Sequence, residues 1–331
     1  MQNPPDAAGG ARPLTVSIDA RLTERVPGYV LGLIAVPDID VVRESDDIGA
    51  WLTAAEDILH AAGLGKADVS ALPAIAAWRE AYRAVGVNPN KFPCAAESVV
   101  RRVAKGDRLP RINALVDLCN AASLDTRLPV ASCDVGSLQG ELEVRLAHGG
   151  EVFAPLGAPD ATEHPEPGEV VYADHRGRAH SRRWNWRQSD VVRTDVGRRR
   201  LLLTVESAHE GGRAEVEEAL GWLVEALSGL DGLGAVTGRP LVLDRTTPQG
   251  DPFAPRHPST PSGDPGGHHQ QASTPSGDPS GDPSGDPSGD PSGDPSGDPS
   301  GHRRQPSTPS GHRRPLAPGG PSFVPPAALA R

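Results

Sequence analysis

Nine arginines and only two acids fall between Arg176 and Arg200, a net charge of +7 inside a chain whose formal charge is -10. At the centre of this stretch lies R-R-W-N-W-R, Arg182 to Arg187. As an extended strand it would set Trp184 and Trp186 on one face and Arg183, Asn185 and Arg187 on the other, because successive side chains alternate. Guanidinium groups neutralise phosphates and aromatic faces stack on unpaired bases, so the pattern suits RNA. It equally fits a strand whose tryptophans fill a core and whose arginines are solvated or pair with acids elsewhere. A second basic run, Arg101, Arg102, Lys105, Arg108 and Arg111, surrounds the turn K-G-D-R-L-P and would extend an RNA-facing surface.

The segment P-G-E-V-V-Y-A-D-H, Pro167 to His175, puts Glu169 before a strand and the pair Asp174 and His175 after it. A histidine beside a carboxylate at a strand end suits a general base or a group that orients water, although D-H-R-G-R is also ordinary turn chemistry. Asp134, after L-P-V-A-S-C-D, poses the same choice. No G-x-S-x-G elbow, P-loop, G-x-G-x-x-G after a strand or H-E-x-x-H occurs. Cys94, Cys119 and Cys133 form no C-x-x-C pair, which predicts reduced thiols and neither a disulfide framework nor a structural zinc site.

The elements that must position these residues are legible as a mixed pattern. Leu14 to Ile18 and the nearly continuous apolar run Tyr29 to Val36 read as strands. A helix follows, with Ser45 or Asp46 as its cap and Gly63 as its stop. A second helix carries Leu72, Ile75, Trp78, Tyr82 and Val85 and ends at Gly86. After the rigid turn N-P-N-K-F-P come two shorter helices, Ala95 to Lys105 and Pro110 to Ala122, the latter with Pro110 in its first turn. Strands are expected at Leu128 to Ser132, Leu142 to Leu146, Glu169 to Ala173, Ser181 to Trp186 and Leu201 to Glu206, and a last amphipathic helix at Ala214 to Leu227. Such an order predicts an α/β (α+β) domain.

All five tryptophans and all three tyrosines lie before residue 223, whereas 11 of the 84 residues from Pro248 to Arg331 are apolar. Six consecutive P-S-G-D units run from Pro275 to Asp298. A segment with so little to bury cannot offset its ordering entropy, so the composition predicts a flexible N-terminus at 1–11, one domain at 12–246 and a disordered tail at 247–331. The absence of a long apolar run and of a basic, apolar leader predicts a cytoplasmic protein with no membrane partner.

In order along the chain, W-R-E-A-Y-R-A-V-G-V-N-P-N-K-F-P (Trp78 to Pro93), E-S-V-V-R-R-V (Glu97 to Val103), L-P-R-I-N-A-L-V-D-L-C-N-A-A-S-L (Leu109 to Leu124), L-P-V-A-S-C-D (Leu128 to Asp134), P-G-E-V-V-Y-A-D (Pro167 to Asp174) and R-W-N-W-R (Arg183 to Arg187) together resemble the B-three/B-four domain. This is the tRNA-binding and editing module of the phenylalanyl-tRNA synthetase beta subunit, here in freestanding form. The resemblance implies a three-layer domain with mixed sheets flanked by helices and a small pocket. It also implies a tRNA acceptor end as partner, no cofactor and no metal, and hydrolysis of the ester of a misacylated tRNA. Mapped onto the matching strands and loops, the site candidates are Asn113, Asn120, Asp134, Glu169, Asp174 and His175, with Arg182, Arg183, Trp184, Asn185, Trp186, Arg187, Arg101 and Arg102 facing RNA. A non-catalytic RNA binder or amino-acid sensor on the same fold is the alternative. No aminoacylation core accompanies the domain, so a complete phenylalanine-tRNA ligase is not expected.

Overall fold

The computed structural model describes residues 13–138, 140–158, 160–229 and 240–254; the expected flexible N-terminus and the repeat tail lie outside the described residues. The chain starts with β1 (Leu14–Ile18), α1 (Ala20–Arg25) and the long β2 (Tyr29–Val41). Five helices follow: α2 (Asp46–Ala62), α3 (Lys66–Ala71), α4 (Pro73–Ala84), α5 (Ala95–Ala104) and α6 (Ala114–Thr126). The second half holds β3 (Val130–Asp134), β4 (Gly140–Leu146), β5 (Val170–Asp174), the short β6 (Ser181–Arg182) and β7 (Arg187–Gln188), then β8 (Gly197–Ala208), α7 (Gly212–Gly229), β9 (Leu241–Leu243) and β10 (Gln249–Gly250).

Two four-stranded sheets result, ordered β10-β1-β4-β5 and β3-β8-β2-β9, with β6 and β7 as a separate ribbon. The first sheet is mixed, because β1 and β4 run parallel while its other pairs are antiparallel. The second is antiparallel throughout. The alternation along β2 reveals the layers. Leu31, Leu33 and Ala35 join the core with Val16, Val144 and Tyr172 of the first sheet. Val30, Ile34 and Val36 pack with Leu115 and Leu118 of α6 and Leu220 and Leu223 of α7. A strand apolar on both faces is one that lies inside a layered domain, and the fold is the three-layer α/β arrangement expected. At Gly32 any Cβ would run into Val216 and Leu220, so glycine lets α7 lie close on the sheet.

Local chemistry accounts for most helix ends. Ser45 accepts from Ile48 N–H at the start of α2, and Gly63 closes it in the left-handed conformation (φ 59°). The helix expected from Pro110 starts instead at Ala114. Asn113 Oδ1 accepts from Val116 N–H (3.0 Å) and Asp117 Oδ1 accepts from Ile112 N–H (3.0 Å), so the cap lies three residues past the proline. The folded elements also run beyond residue 246. Pro248 O accepts from Ile18 N–H, β10 pairs with β1, and Phe253 is buried under the Arg200 guanidinium, 3.7 Å from its ring centre. Among the described residues no helix is long and apolar enough to cross a membrane.

Candidate nucleic-acid interface

The R-R-W-N-W-R segment does not form the strand expected of it. Arg182 pairs with Arg187 across the β6–β7 ribbon, and the residues between them form a tight turn. Arg183 and Trp184 both take positive φ, 46° and 69°. For non-glycine residues this conformation costs on the order of 1 kcal/mol or more each, so the surroundings must hold it. They do so through Trp184, which is 1% exposed. Its indole packs edge-on against Tyr29 (4.8 Å between ring centres) and Trp78 (5.0 Å) and stacks on Tyr82 (6.2 Å, 9° between planes). Backbone bonds complete the hold: Arg183 N–H donates to Glu169 Oε1 (2.8 Å) and Trp184 N–H to Val170 O (2.6 Å).

The turn therefore divides its side chains differently from a strand. Trp184 points into the core, while Trp186 stays half-buried at the surface, edge-on to Phe92 at 4.8 Å. The Arg183 guanidinium lies 3.9 Å from the Phe92 ring centre and 5.1 Å from that of Trp186, and Arg187 lies 5.2 Å from Trp186. This alternation of cations and aromatic rings is a surface on which planar, negatively charged groups are favoured. Arg182 takes no part in it. It is buried and donates to Glu169 Oε1 (2.6 Å), Glu169 Oε2 (3.0 Å) and Glu163 Oε2 (2.6 Å).

Arg183 and Phe92 border an open cleft of about 510 Å³, shared with Arg25, Val85 to Asn88, Lys91 and Glu166 to Glu169. Arg79, from α4, sets the N-P-N-K-F-P wall. Its buried guanidinium donates to Pro89 O (3.4 Å), Asn90 Oδ1 (2.5 Å) and Glu97 Oε1 (2.8 Å). Three cations thus meet at the cleft, Arg25, Lys91 and Arg183, against the exposed Glu166 and a Glu169 already joined to Arg182. The balance favours an anion.

The candidate catalytic residues are not gathered into one place. Glu169 lines the cleft, but both of its oxygens are occupied, Oε2 also accepting from Glu166 N–H (3.2 Å). Burial alone would raise its carboxyl; the Arg182 guanidinium and the Arg183 N–H outweigh burial and hold it below the usual range. Asp174 is buried between His180 Nε2 (3.2 Å) and Arg178 Nε (2.7 Å), which likewise outweigh burial and keep it ionised. His175 projects into solvent at the following turn. Asn113 is the cap of α6, and its Nδ2 donates to Thr194 O (2.9 Å). Asn120 is half-buried on that helix. Asp134 ends β3, accepting from Gly136 N–H (2.9 Å) with Arg199 3.5 Å away. Of the second basic run, Arg101 is tied to Glu97 (2.6 Å) and Ser70 (3.1 Å), whereas Arg102 is exposed.

Asn185 faces inward. Its Oδ1 accepts from Tyr82 Oη (2.9 Å) and Ala95 N–H (3.2 Å), and its Nδ2 donates to Glu206 Oε2 (2.6 Å). Glu206, which the motifs did not single out, is 2% exposed and also receives the Tyr172 hydroxyl. Burial pushes its carboxyl up to about 7. One signal was available: Glu206 has the strand parity of Leu202, whose face packs between the two sheets, so alternation puts a carboxylate in the core. Among the described residues no cluster of three His, Cys, Asp or Glu is placed to hold a metal. The three cysteines are free thiols, and burial raises Cys94 and Cys119 to about 12 and Cys133 to about 11.

Residues 77–211 match the family model described as the B3/4 domain. Among solved structures, the chain is similar to an N-terminal fragment of the phenylalanyl-tRNA synthetase beta subunit from Pyrococcus horikoshii, at 12% identity and a TM-score of 0.33. That match covers 65% of this chain and 48% of the other, so the chain spans about half the length of that fragment. No curated protein matches the chain.

Proposed function

We propose, on the match of residues 77–211 to the B3/4 domain family model, that the protein binds the acceptor end of tRNA in the Arg183–Phe92 cleft and hydrolyses the ester of a misacylated aminoacyl-tRNA in trans. The observation that carries the reading is the run of cation and ring contacts Arg183–Phe92–Trp186–Arg187 beside a cleft with Arg25 and Lys91 on its walls. In this reading the cations neutralise phosphates near the 3′ end and the rings receive an unpaired base. Glu169 acts as part of the wall, since a carboxylate fixed by Arg182 and two backbone N–H groups is a poor proton acceptor. Cleavage then depends on a water positioned against the ester carbonyl, with help from the tRNA's own terminal hydroxyl, and needs no nucleophilic side chain.

A second reading is a tRNA binder or amino-acid sensor without hydrolysis. It is favoured by the dispersal of the candidate acids, with Asp174 paired inside the fold and His175 out in solvent. The experiment that separates the two readings is incubation of the protein with mischarged tRNAs, beginning with tyrosine on phenylalanine tRNA, against correctly charged controls. Selective loss of the wrong ester is the expected outcome. Retention of every ester alongside salt-dependent tRNA binding selects the second reading as a tRNA binder, and absence of tRNA binding removes the editing reading and leaves only the amino-acid sensor.

A further inference from the structure

Two consecutive left-handed residues put Arg183 on the lip of the cleft, and, besides the buried Trp184 and the backbone bonds to Glu169 and Val170, one neighbouring side chain ties that turn to the core by hydrogen bonds. Asn185 bridges three elements: β8 through Glu206, α4 through Tyr82, and the start of α5 through the backbone of Ala95. The Ala95 N–H can only donate, so the amide atom facing it is the oxygen, and the nitrogen is left to face Glu206. Its hydrogen-bonding groups are directed inward, which leaves Asn185 no direct part in holding a ligand outside.

We propose that Asn185 is a positioning residue for the cleft: its amide, anchored on Glu206, fixes the turn so that Arg183 stays seated on Phe92. The inference rests on the tRNA-binding reading only for its effect on affinity. The anchoring itself is a property of the free protein. The groups facing Glu206 are Tyr172 of β5, Tyr29 of β2, Tyr82 of α4, Cys94 before α5 and Cys133 of β3. Burial raises each of these hydroxyls and thiols, so they stay neutral between pH 6 and 8. Glu97, beyond Cys94, is paired with Arg79 and Arg101. Glu206 is therefore the group of this cluster that changes charge in that interval, its burial-raised carboxyl titrating near 7.

Asn185→Asp keeps the oxygen that serves Tyr82 and Ala95 but sets a second carboxylate against Glu206. At pH 8 the variant should show faster amide hydrogen exchange over residues 181–188 and roughly tenfold weaker binding of an unacylated tRNA transcript. At pH 6, where one proton can be shared between the two carboxyls, both defects should shrink. Combining Asn185→Asp with Glu206→Gln restores a donor and an acceptor in reversed polarity, the new amide still accepting from Tyr172. This pair should recover native exchange and affinity at both pH values. Unchanged exchange in the single variant at pH 8, or no recovery in the paired variant, overturns the proposal. If the single variant does not fold, the paired one decides: native exchange supports the coupling, and failure to fold while Glu206→Gln alone folds overturns it. If wild-type protein does not bind the transcript, the tRNA reading falls, and the exchange measurements still decide the role of Asn185.

Discussion

Two stretches of this chain carry similar positive charge, and the fold uses them in opposite ways. Around α5 and the loop after it, Arg101 is held by Glu97, while Arg108 and Arg111 converge on the buried carboxylate of Glu56. Glu56 also accepts from Leu109 N–H (2.7 Å), and these bonds outweigh burial to keep it ionised. The charge there joins helices: Arg108 and Arg111 are exposed yet tied to Glu56, while Arg102 and Lys105 face water. In the Arg182–Arg187 turn Arg182 is consumed in the same manner and Arg187 is shared between Glu163 (3.2 Å) and the Trp186 ring, but Arg183 lies on the Phe92 ring at the cleft. Charge counted along a sequence therefore measures supply. What is available to a ligand is what remains after the buried acids have taken their share.

The largest expected effect separates the two tryptophans of the turn. Trp184→Ala empties the cage formed by Tyr29, Trp78 and Tyr82 and should cost ~3 to 5 kcal/mol in urea unfolding. Trp186→Ala should cost under about 1 kcal/mol of stability, yet weaken tRNA binding by the ~1 to 3 kcal/mol of a lost base stack. Equal stability losses from the two would mean that Trp186 is a core residue and that the surface ladder is incidental. Next in size is the C-terminal boundary. Truncation after Thr246 removes β10 and Phe253 and should cost about 3 kcal/mol, whereas truncation after Ala254 should leave the melting temperature where it is.

A comparable effect belongs to Glu206 and has a sign opposite to that of the paired carboxylates. Its folded pKa lies above the ordinary value, so its cost is absent below about pH 4.5, grows as pH rises and is complete above about 7. The span is at most on the order of 3 kcal/mol. Glu206→Gln should remove that slope, making the variant relatively more stable at pH 8 than at pH 5 when each is compared with wild type. Asp174 and Glu169, held low, act in reverse: they stabilise at neutral pH and lose that contribution as the pH falls below 4. A Glu206→Gln unfolding curve parallel to wild type across pH 5 to 8 would show that the carboxylate is better solvated than its surroundings imply.

The difference between what was and was not legible follows the range of the interactions. The Tyr29 to Val36 part of β2, the Ser45 and Gly63 ends of α2 and the Trp78–Tyr82 stripe of α4 rest on local patterning and capping, and all could be read along the chain. The turn could not. Neither arginine nor tryptophan announces a positive φ, and the conformation exists because Trp184 gains a cage assembled from β2 and α4. The expected alternation of faces failed there for that reason, turning Asn185 inward and separating Trp184 from Trp186. The cleft was half legible: Glu169, Arg183 and the N-P-N-K-F-P turn were marked by type or motif, while Arg25 arrives from a short helix after β1 that no signal connected to them. The dispersal of Asn113, Asp134, Asp174 and His175 has the same origin, since each sits where its own strand or helix ends.

The smallest effects test whether the two basic stretches differ as the contacts say. Arg183→Glu should weaken tRNA binding by roughly tenfold or more, because it removes a cation from the cleft and places a carboxylate beside Glu166 and Phe92. It should also lower the slope of log affinity against log salt by about one contact. Arg102→Glu changes the same formal charge on an exposed helix site that no acid or ring among the described residues engages. It should alter stability by no more than about 0.5 kcal/mol and affinity by a small, salt-screened amount. If instead the two substitutions weaken binding equally and with the same salt slope, tRNA is reading the long-range field of both stretches. In that case the ring contacts around Arg183 contribute nothing specific, and the ligand lies across α5 as well as the cleft.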